Sequence, residues 1–174
     1  ALAGAAYARL GESSSECDTR YGKPDSIRIE EGFQVRRYHK RGVEIRISFW
    51  KSRSVELFCR KLNRDLMNDE EQALFLNVSA TTSKWVKVDQ VAEWKIRNPD
   101  KEGEDDDHAH LMEDLASFYL WDREDGRAEA TYDRRDGVLM VSDVNHLERL
   151  AARAEKAEAA AVEAAEPVQE TFGF

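Results

Sequence analysis

Proline and cysteine are scarce in this chain, and long apolar runs are missing. It has three Pro and two Cys. No apolar stretch approaches the roughly 18 residues that a membrane-spanning helix needs, and two cysteines are too few for a disulfide-framework scaffold. There is no G-x-S-x-G, no glycine loop able to cradle a phosphate and no H-E-x-x-H, so the motifs of hydrolases, nucleotide enzymes and zinc proteases are lacking, and no cofactor is implied. What is present is charge. Of 174 residues, 35% are charged and 41% apolar, with a net charge of −9, the composition of a charge-rich globular protein long enough for one core and an extension.

The charge is unevenly spread. Residues 1–64 carry 14 Lys/Arg against 8 Asp/Glu, whereas residues 65–174 carry 12 against 27. Such polarity can orient a subunit in an assembly or attract a charged partner; it also arises when two surfaces are merely solvated differently. The opening residues, Ala1-Leu2-Ala3-Gly4-Ala5-Ala6-Tyr7-Ala8, have the small-residue spacing found at the end of a secretory signal peptide, so a periplasmic or extracellular location is expected, with a cytoplasmic one left open. Cys17 and Cys59 pair in an oxidising compartment or remain two buried thiols.

Ser13 with Glu16 three residues on has capping-box spacing, predicting a helix through Cys17 to about Tyr21, stopped by Gly22. From Ser26 to Lys61 the period changes to two. Val43, Ile45, Ile47 and Phe49 share one face, and Glu44, Arg46 and Ser48 the other. Its neighbours are Gln34–His39, ending in the turn Lys40-Arg41-Gly42, and Val55–Lys61. Asn68 with Glu71 starts a second helix to about Val78. Trp85–Val88 and Glu93–Arg97 read as short strands, and Asp100–His110 as a polar loop. Ser117–Asp122, Ala128–Asp133 and Val138–Ser142 read as further strands turning at Asp125-Gly126 and Asp136-Gly137. The expected class is α+β: a helix followed by an antiparallel sheet, that order repeated once over residues 10–64 and 65–143. Residues 1–9 read as a flexible N-terminus or signal remnant. From Val144 the pattern is helical into the Ala-rich stretch to Glu166, which has little apolar surface to bury by itself and should protrude or dock; the tail carries Phe172 and Phe174.

Leu10-Gly11-Glu12, Cys17, Arg20-Tyr21-Gly22-Lys23-Pro24 and a strand ending in Phe49-Trp50 resemble a group of small exported bacterial proteins of unassigned function. Asn68-Asp69-Glu70-Glu71-Gln72, Ser83-Lys84-Trp85, Trp94-Lys95 and Tyr132-Asp133 fit the same pattern, so the resemblance covers roughly residues 10–143. More distantly, the helix, Tyr-Gly-Lys-Pro and sheet look like the β-lactamase-inhibitor-protein-like fold, which includes small outer-membrane assembly lipoproteins. The resemblance implies an α+β fold, export, and binding or assembly rather than a reaction. It does not extend to lipid attachment, since Cys17 falls inside a predicted helix.

Glu104-Asp105-Asp106-Asp107-His108-Ala109-His110 is the one cluster with ligand-like chemistry. Its spacing matches neither an EF-hand nor a structural zinc site, which favours a solvated acidic loop. Arg36-Arg37-Tyr38-His39-Lys40-Arg41 sets basic groups beside an aromatic at a hairpin, but the acidic whole argues against nucleic acid and for a protein partner. Trp50, Trp85, Trp94 and Trp121 are expected in the core and at sheet edges. His39, His108, His110 and His146 all stand in polar sequence surroundings, and no local motif activates either thiol. The reading is a non-catalytic, exported protein acting by protein–protein contact, an accessory or structural subunit of a larger assembly. The expected contacts are Arg36, Arg37, Tyr38, Lys40 and Arg41, with Leu147, Leu150, Val162, Phe172 and Phe174 on the C-terminal helix and tail. Peripheral association with a membrane complex is compatible with this. The alternatives are a periplasmic inhibitor or ligand-binding protein, and a small metal-dependent enzyme.

Overall fold

Alternation of apolar and polar residues, interrupted by two-residue turns, builds the first half of the molecule. In this computed structural model, which describes residues 9–79, 83–97 and 106–152, β1 (Ser26–Glu30), β2 (Phe33–Lys40), β3 (Val43–Trp50) and β4 (Arg53–Lys61) form an antiparallel meander. The three links are Glu31-Gly32, Arg41-Gly42 and Lys51-Ser52, with both residues of each at positive φ, the backbone that matches the twist of paired strands. Lys51-Ser52 makes this turn without glycine, so nothing in its composition announces it. The second half supplies β5 (Trp85–Val88), β6 (Phe118–Arg123), β7 (Ala128–Asp133) and β8 (Val138–Asp143). β4 pairs with β8, giving one antiparallel sheet in the order β1-β2-β3-β4-β8-β7-β6-β5. The fold is α+β.

One face of this sheet carries the core. Ile45, Ile47 and Phe49 of β3 lie beside Leu57 and Cys59 of β4, then Leu139 and Val141 of β8, then Ala130 and Tyr132 of β7. Helix α1 (Ser14–Tyr21) closes one part of it with Cys17 and Tyr21, one turn apart. Its start is the expected capping box, Ser13 Oγ accepting from the Glu16 N–H while Glu16 accepts from the Ser13 N–H at 2.7 Å. Helix α2 (Asp69–Ser79) closes the rest through Gln72, Phe75, Leu76 and Ser79, the i, i+3, i+4, i+7 stripe of a half-buried helix. Asn68 and Glu71 cap it reciprocally, each bond 2.9 Å.

The segment between the halves is pinned by buried hydrogen bonds. The Met67 N–H donates to the Tyr132 hydroxyl at 2.6 Å, and Gln72 Nε2 donates to the Met67 carbonyl at 2.8 Å. Trp85 Nε1 donates to the Leu76 carbonyl at 2.7 Å and ties β5 to α2. Buried backbone groups left without such partners would each cost on the order of 1–3 kcal/mol.

Three expectations fail. Glu93–Arg97 is not a strand but the end of helix α3 (Gln90–Arg97), whose N–H groups at Ala92 and Glu93 bond to the Asp89 side chain and carbonyl. A five-residue run fits both periods; Val91 and Trp94, three apart and both half-buried, show that the helical one won. Asp100–His110 is not all loop, because residues 106–110 open helix α4 (Asp106–Ser117), and a polar run of this length fits a helix start as well as a loop. His146 is not in polar surroundings but buried, at 2% exposure. Cys17 and Cys59 are both buried as free thiols.

Residues 144–152 are helical (α5) and fold back onto the other sheet face. There His146 meets the Phe33 ring edge-on, centroids 4.9 Å apart, and the Arg149 guanidinium lies 5.9 Å from the centre of the Trp50 ring. The Ala-rich stretch after residue 152 lies outside the described residues.

Candidate partner interface

Strand β2 divides the basic run between two faces. Arg36, Tyr38 and Lys40 share the core side with Ile45 and Ile47, their register partners in β3 being Ile47, Ile45 and Val43. Tyr38, at 1% exposure, donates from its hydroxyl to Asp18 at 2.8 Å, and its ring lies 5.2 Å from that of Tyr21. Burial and the neighbouring Asp18 carboxylate raise its pKa well above the ordinary phenol range. Arg36 bonds the same carboxylate at 2.5 Å, and Lys40 donates to the Arg20 carbonyl. These three side chains hold α1 on the sheet. Tyr38 is therefore unavailable as an exposed contact, and the run is not one patch.

Arg37 projects from the opposite face. The register sets out a transverse row there: Arg37 opposite Arg46, Arg46 opposite Phe58, Phe58 opposite Met140, Met140 opposite Thr131 and Thr131 opposite Leu120. In the next row Glu44 lies beside Arg60, and the two bond at 2.8 Å; Arg37 reaches Glu44 at 3.3 Å. Burial pushes the Glu44 carboxyl up, but the Arg60 hydrogen bond and the charges of Arg60 and Arg37 outweigh it and hold the pKa below the usual carboxylate range. Phe58 is roofed by guanidinium groups, Arg46 at 4.6 Å and Arg60 at 5.8 Å from its centroid. A half-buried ring under two arginines, next to Met140, presents apolar area with a cationic rim, a composition enriched in the centres of protein interfaces.

Of the other expected contacts, Arg41 sits in the β2–β3 turn at φ 51°, beside a groove of about 360 Å³ lined by Val43, Lys61, Leu62, Met67 and Phe75. Leu147 and Leu150 are half-buried on α5. Val162, Phe172 and Phe174 lie outside the described residues. Sequence reasoning missed Arg46, Phe58, Arg60 and Met140. The alternation of Glu44, Arg46 and Ser48 does mark their face as the polar one, but the β4–β8 pairing that brings Met140 to Phe58 spans about eighty residues and leaves no local trace.

Beside α5 lies an acid–base arrangement. Ser48 Oγ donates to Glu56 at 3.1 Å, and the other Glu56 oxygen lies 3.7 Å from His146 Nε2. Glu56 stands between serine and histidine, so the imidazole is not placed to take the serine proton as in a Ser-His-acid triad. Burial holds the His146 pKa below its ordinary value, with Arg149 adding to the effect and Glu56 and Asp143 opposing it. Cys17 is pushed up to about 12 by burial and by Glu12, and burial raises Cys59 further; neither is a thiolate at neutral pH. The tryptophans serve packing, with Trp121 buried and Trp50, Trp85 and Trp94 half-buried. Among the described residues, no group of three or more His, Cys, Asp or Glu is arranged to hold a metal ion, and no helix is long and apolar enough to cross a membrane.

No known protein family matches this chain, and no curated protein does. A crystal structure of a cysteine-rich secretory protein from Staphylococcus aureus aligns over 79% of this chain and 46% of its own, with 12% identity and a TM-score of 0.38. The chain spans less than half the length of that protein, and a likeness this weak carries no argument about function.

Proposed function

We propose that this is a non-catalytic protein that works by protein–protein contact, as an accessory or structural subunit of a larger assembly. The observation that carries the reading is the Arg37–Arg46–Phe58–Met140 row, with Arg60 beside it. It offers an apolar centre within a cationic rim on a rigid, hydrogen-bonded sheet. The partner it fits has an acidic, partly apolar surface. The buried, protonated thiols of Cys17 and Cys59 and the Ser48–Glu56–His146 order, in which the imidazole does not reach the serine, favour binding over catalysis. Export, and kinship with the small exported bacterial proteins that the sequence resembles, belong to the same proposal. So does a duplicated helix-plus-strands plan, each half ending on a strand, β4 or β8, at the centre of the sheet. In this reading the Ala-rich segment after residue 152 is a helix that adds reach, with Val162, Phe172 and Phe174 as anchors.

The test is native mass spectrometry of the tagged full chain purified gently from its own cells, beside an Arg37→Glu/Arg46→Glu variant. The expected result is a heteromeric complex of defined stoichiometry that the variant loses while remaining folded, as its circular dichroism shows. A wild-type chain that carries no other protein overturns the reading.

A further inference from the structure

The two edges of the sheet are built differently. β5 is four residues long and carries Lys87, a common guard against edge-to-edge pairing. β1 is the other edge, and its sequence Ser26-Ile27-Arg28-Ile29-Glu30 contains neither lysine nor proline. Ile27 is 52% exposed and Ile29 71%. Because the Glu31-Gly32 link is a two-residue turn, Glu30–Phe33 and Arg28–Val35 are the hydrogen-bonded pairs of the β1–β2 ladder. The N–H and C=O groups of Ile27 and Ile29 therefore point to the open edge, where no described strand pairs with them.

We propose that this edge pairs with the β1 edge of a second copy, about a two-fold axis perpendicular to the sheet, giving one continuous sixteen-stranded sheet from two eight-stranded ones. Such an axis keeps each face on its own side, so only residues of equal parity stand opposite one another. Charge chooses among the allowed registers. With Arg28 opposite its own copy, two guanidinium groups collide. With Ile29 on the axis, Arg28 of each chain faces Glu30 of the other, twice, and the two Ile29 side chains cover each other. Arg28 and Glu30 are exposed and make no ion pair or side-chain hydrogen bond among the described residues, so both are available. Ile29 has its backbone groups outward, as a hydrogen-bonded pair on the axis requires. The open face of Arg37, Arg46 and Phe58 is a different surface, so this pairing stands or falls independently of the assembly partner.

In this register three strand residues of each chain, Arg28 to Glu30, face one another, a small interface, and a dissociation constant no tighter than about micromolar order is expected. Sedimentation velocity of the full chain over a concentration series should show a 19.9 kDa monomer passing into a dimer. Arg28→Glu or Glu30→Arg alone sets like charges opposite each other at both pairs and should raise the dissociation constant about tenfold or more; the double variant restores the pairs and the dimer. Ile29→Cys should form a disulfide between chains on mild oxidation, the native thiols being buried, since a hydrogen-bonded antiparallel pair has its Cα atoms about 5.5 Å apart. A monomer at every concentration overturns the proposal, as does a dimer indifferent to the single charge reversals or not recovered by the double one. Arg37→Glu/Arg46→Glu should leave the dimer intact even where it abolishes binding to another protein.

Discussion

Arg36 and Arg37 are adjacent, equally charged and on one strand, yet they have different work. Arg36 shares the Asp18 carboxylate with Tyr38 under helix α1, whereas Arg37 stands 44% exposed beside Glu44 on the opposite face. The difference comes from the period of two alone: successive side chains leave a strand on opposite sides, and only one side of this sheet received α1 and α2. A basic run in a strand is therefore two half-runs. One is structural cement here, and the other is the surface through which the protein is proposed to act.

The comparison is broken most forcefully at Tyr38. Tyr38→Ala removes a buried ring and one of the two side-chain bonds to Asp18 beneath α1, leaving only that of Arg36, and should cost about 3–5 kcal/mol of stability in urea unfolding, against about 0.5 kcal/mol or less for Arg37→Ala. Equal losses would mean that both faces are packed alike. Tyr132→Phe is next: it leaves the Met67 N–H without its acceptor at the junction of the halves, and about 1–3 kcal/mol should be lost by the same measurement. Ser13→Ala, which opens the capping box of α1, should cost about 1 kcal/mol.

The α5 side of the sheet should respond to pH. His146 has a folded pKa below its unfolded value of 6.5, so the unfolded chain binds more protons as the pH falls through 6.5. The stability that depends on neutral His146 is thus complete above pH 6.5 and is lost below it. The wild-type melting temperature should fall more between pH 7 and pH 5 than that of His146→Phe, which keeps a ring against Phe33 and does not titrate; parallel falls would place the sensitivity elsewhere. The smallest effect is expected at Arg46→Met, within about 0.5 kcal/mol of wild type, because its partner is an aromatic face already half covered by Arg60.

Much of the first half was legible because its signals are local. Val43 to Phe49 alternate, Arg41-Gly42 turns, Ser13 and Glu16 cap, and each of these needs only its neighbours. The α3 helix was misread because Glu93–Arg97 is too short to tell period two from 3.6, and Asp89, which caps it, lies outside the run. His146 was misread because its burial depends on α5 crossing back over Phe33 and Glu56, residues more than eighty positions earlier.

By itself the sequence determined the class, three of the four strands of the first meander, both main helix caps and the lack of familiar catalytic motifs, since periodicity, capping and turn geometry are short-range physics. Only the tertiary structure decided that β4 meets β8, that Phe58 and Met140 become neighbours under Arg46, and that β1 is left as an edge. Those outcomes follow from how two meanders share one buried face, and a contact between residues far apart in the chain is set by the packing of the whole rather than by any stretch that can be read alone.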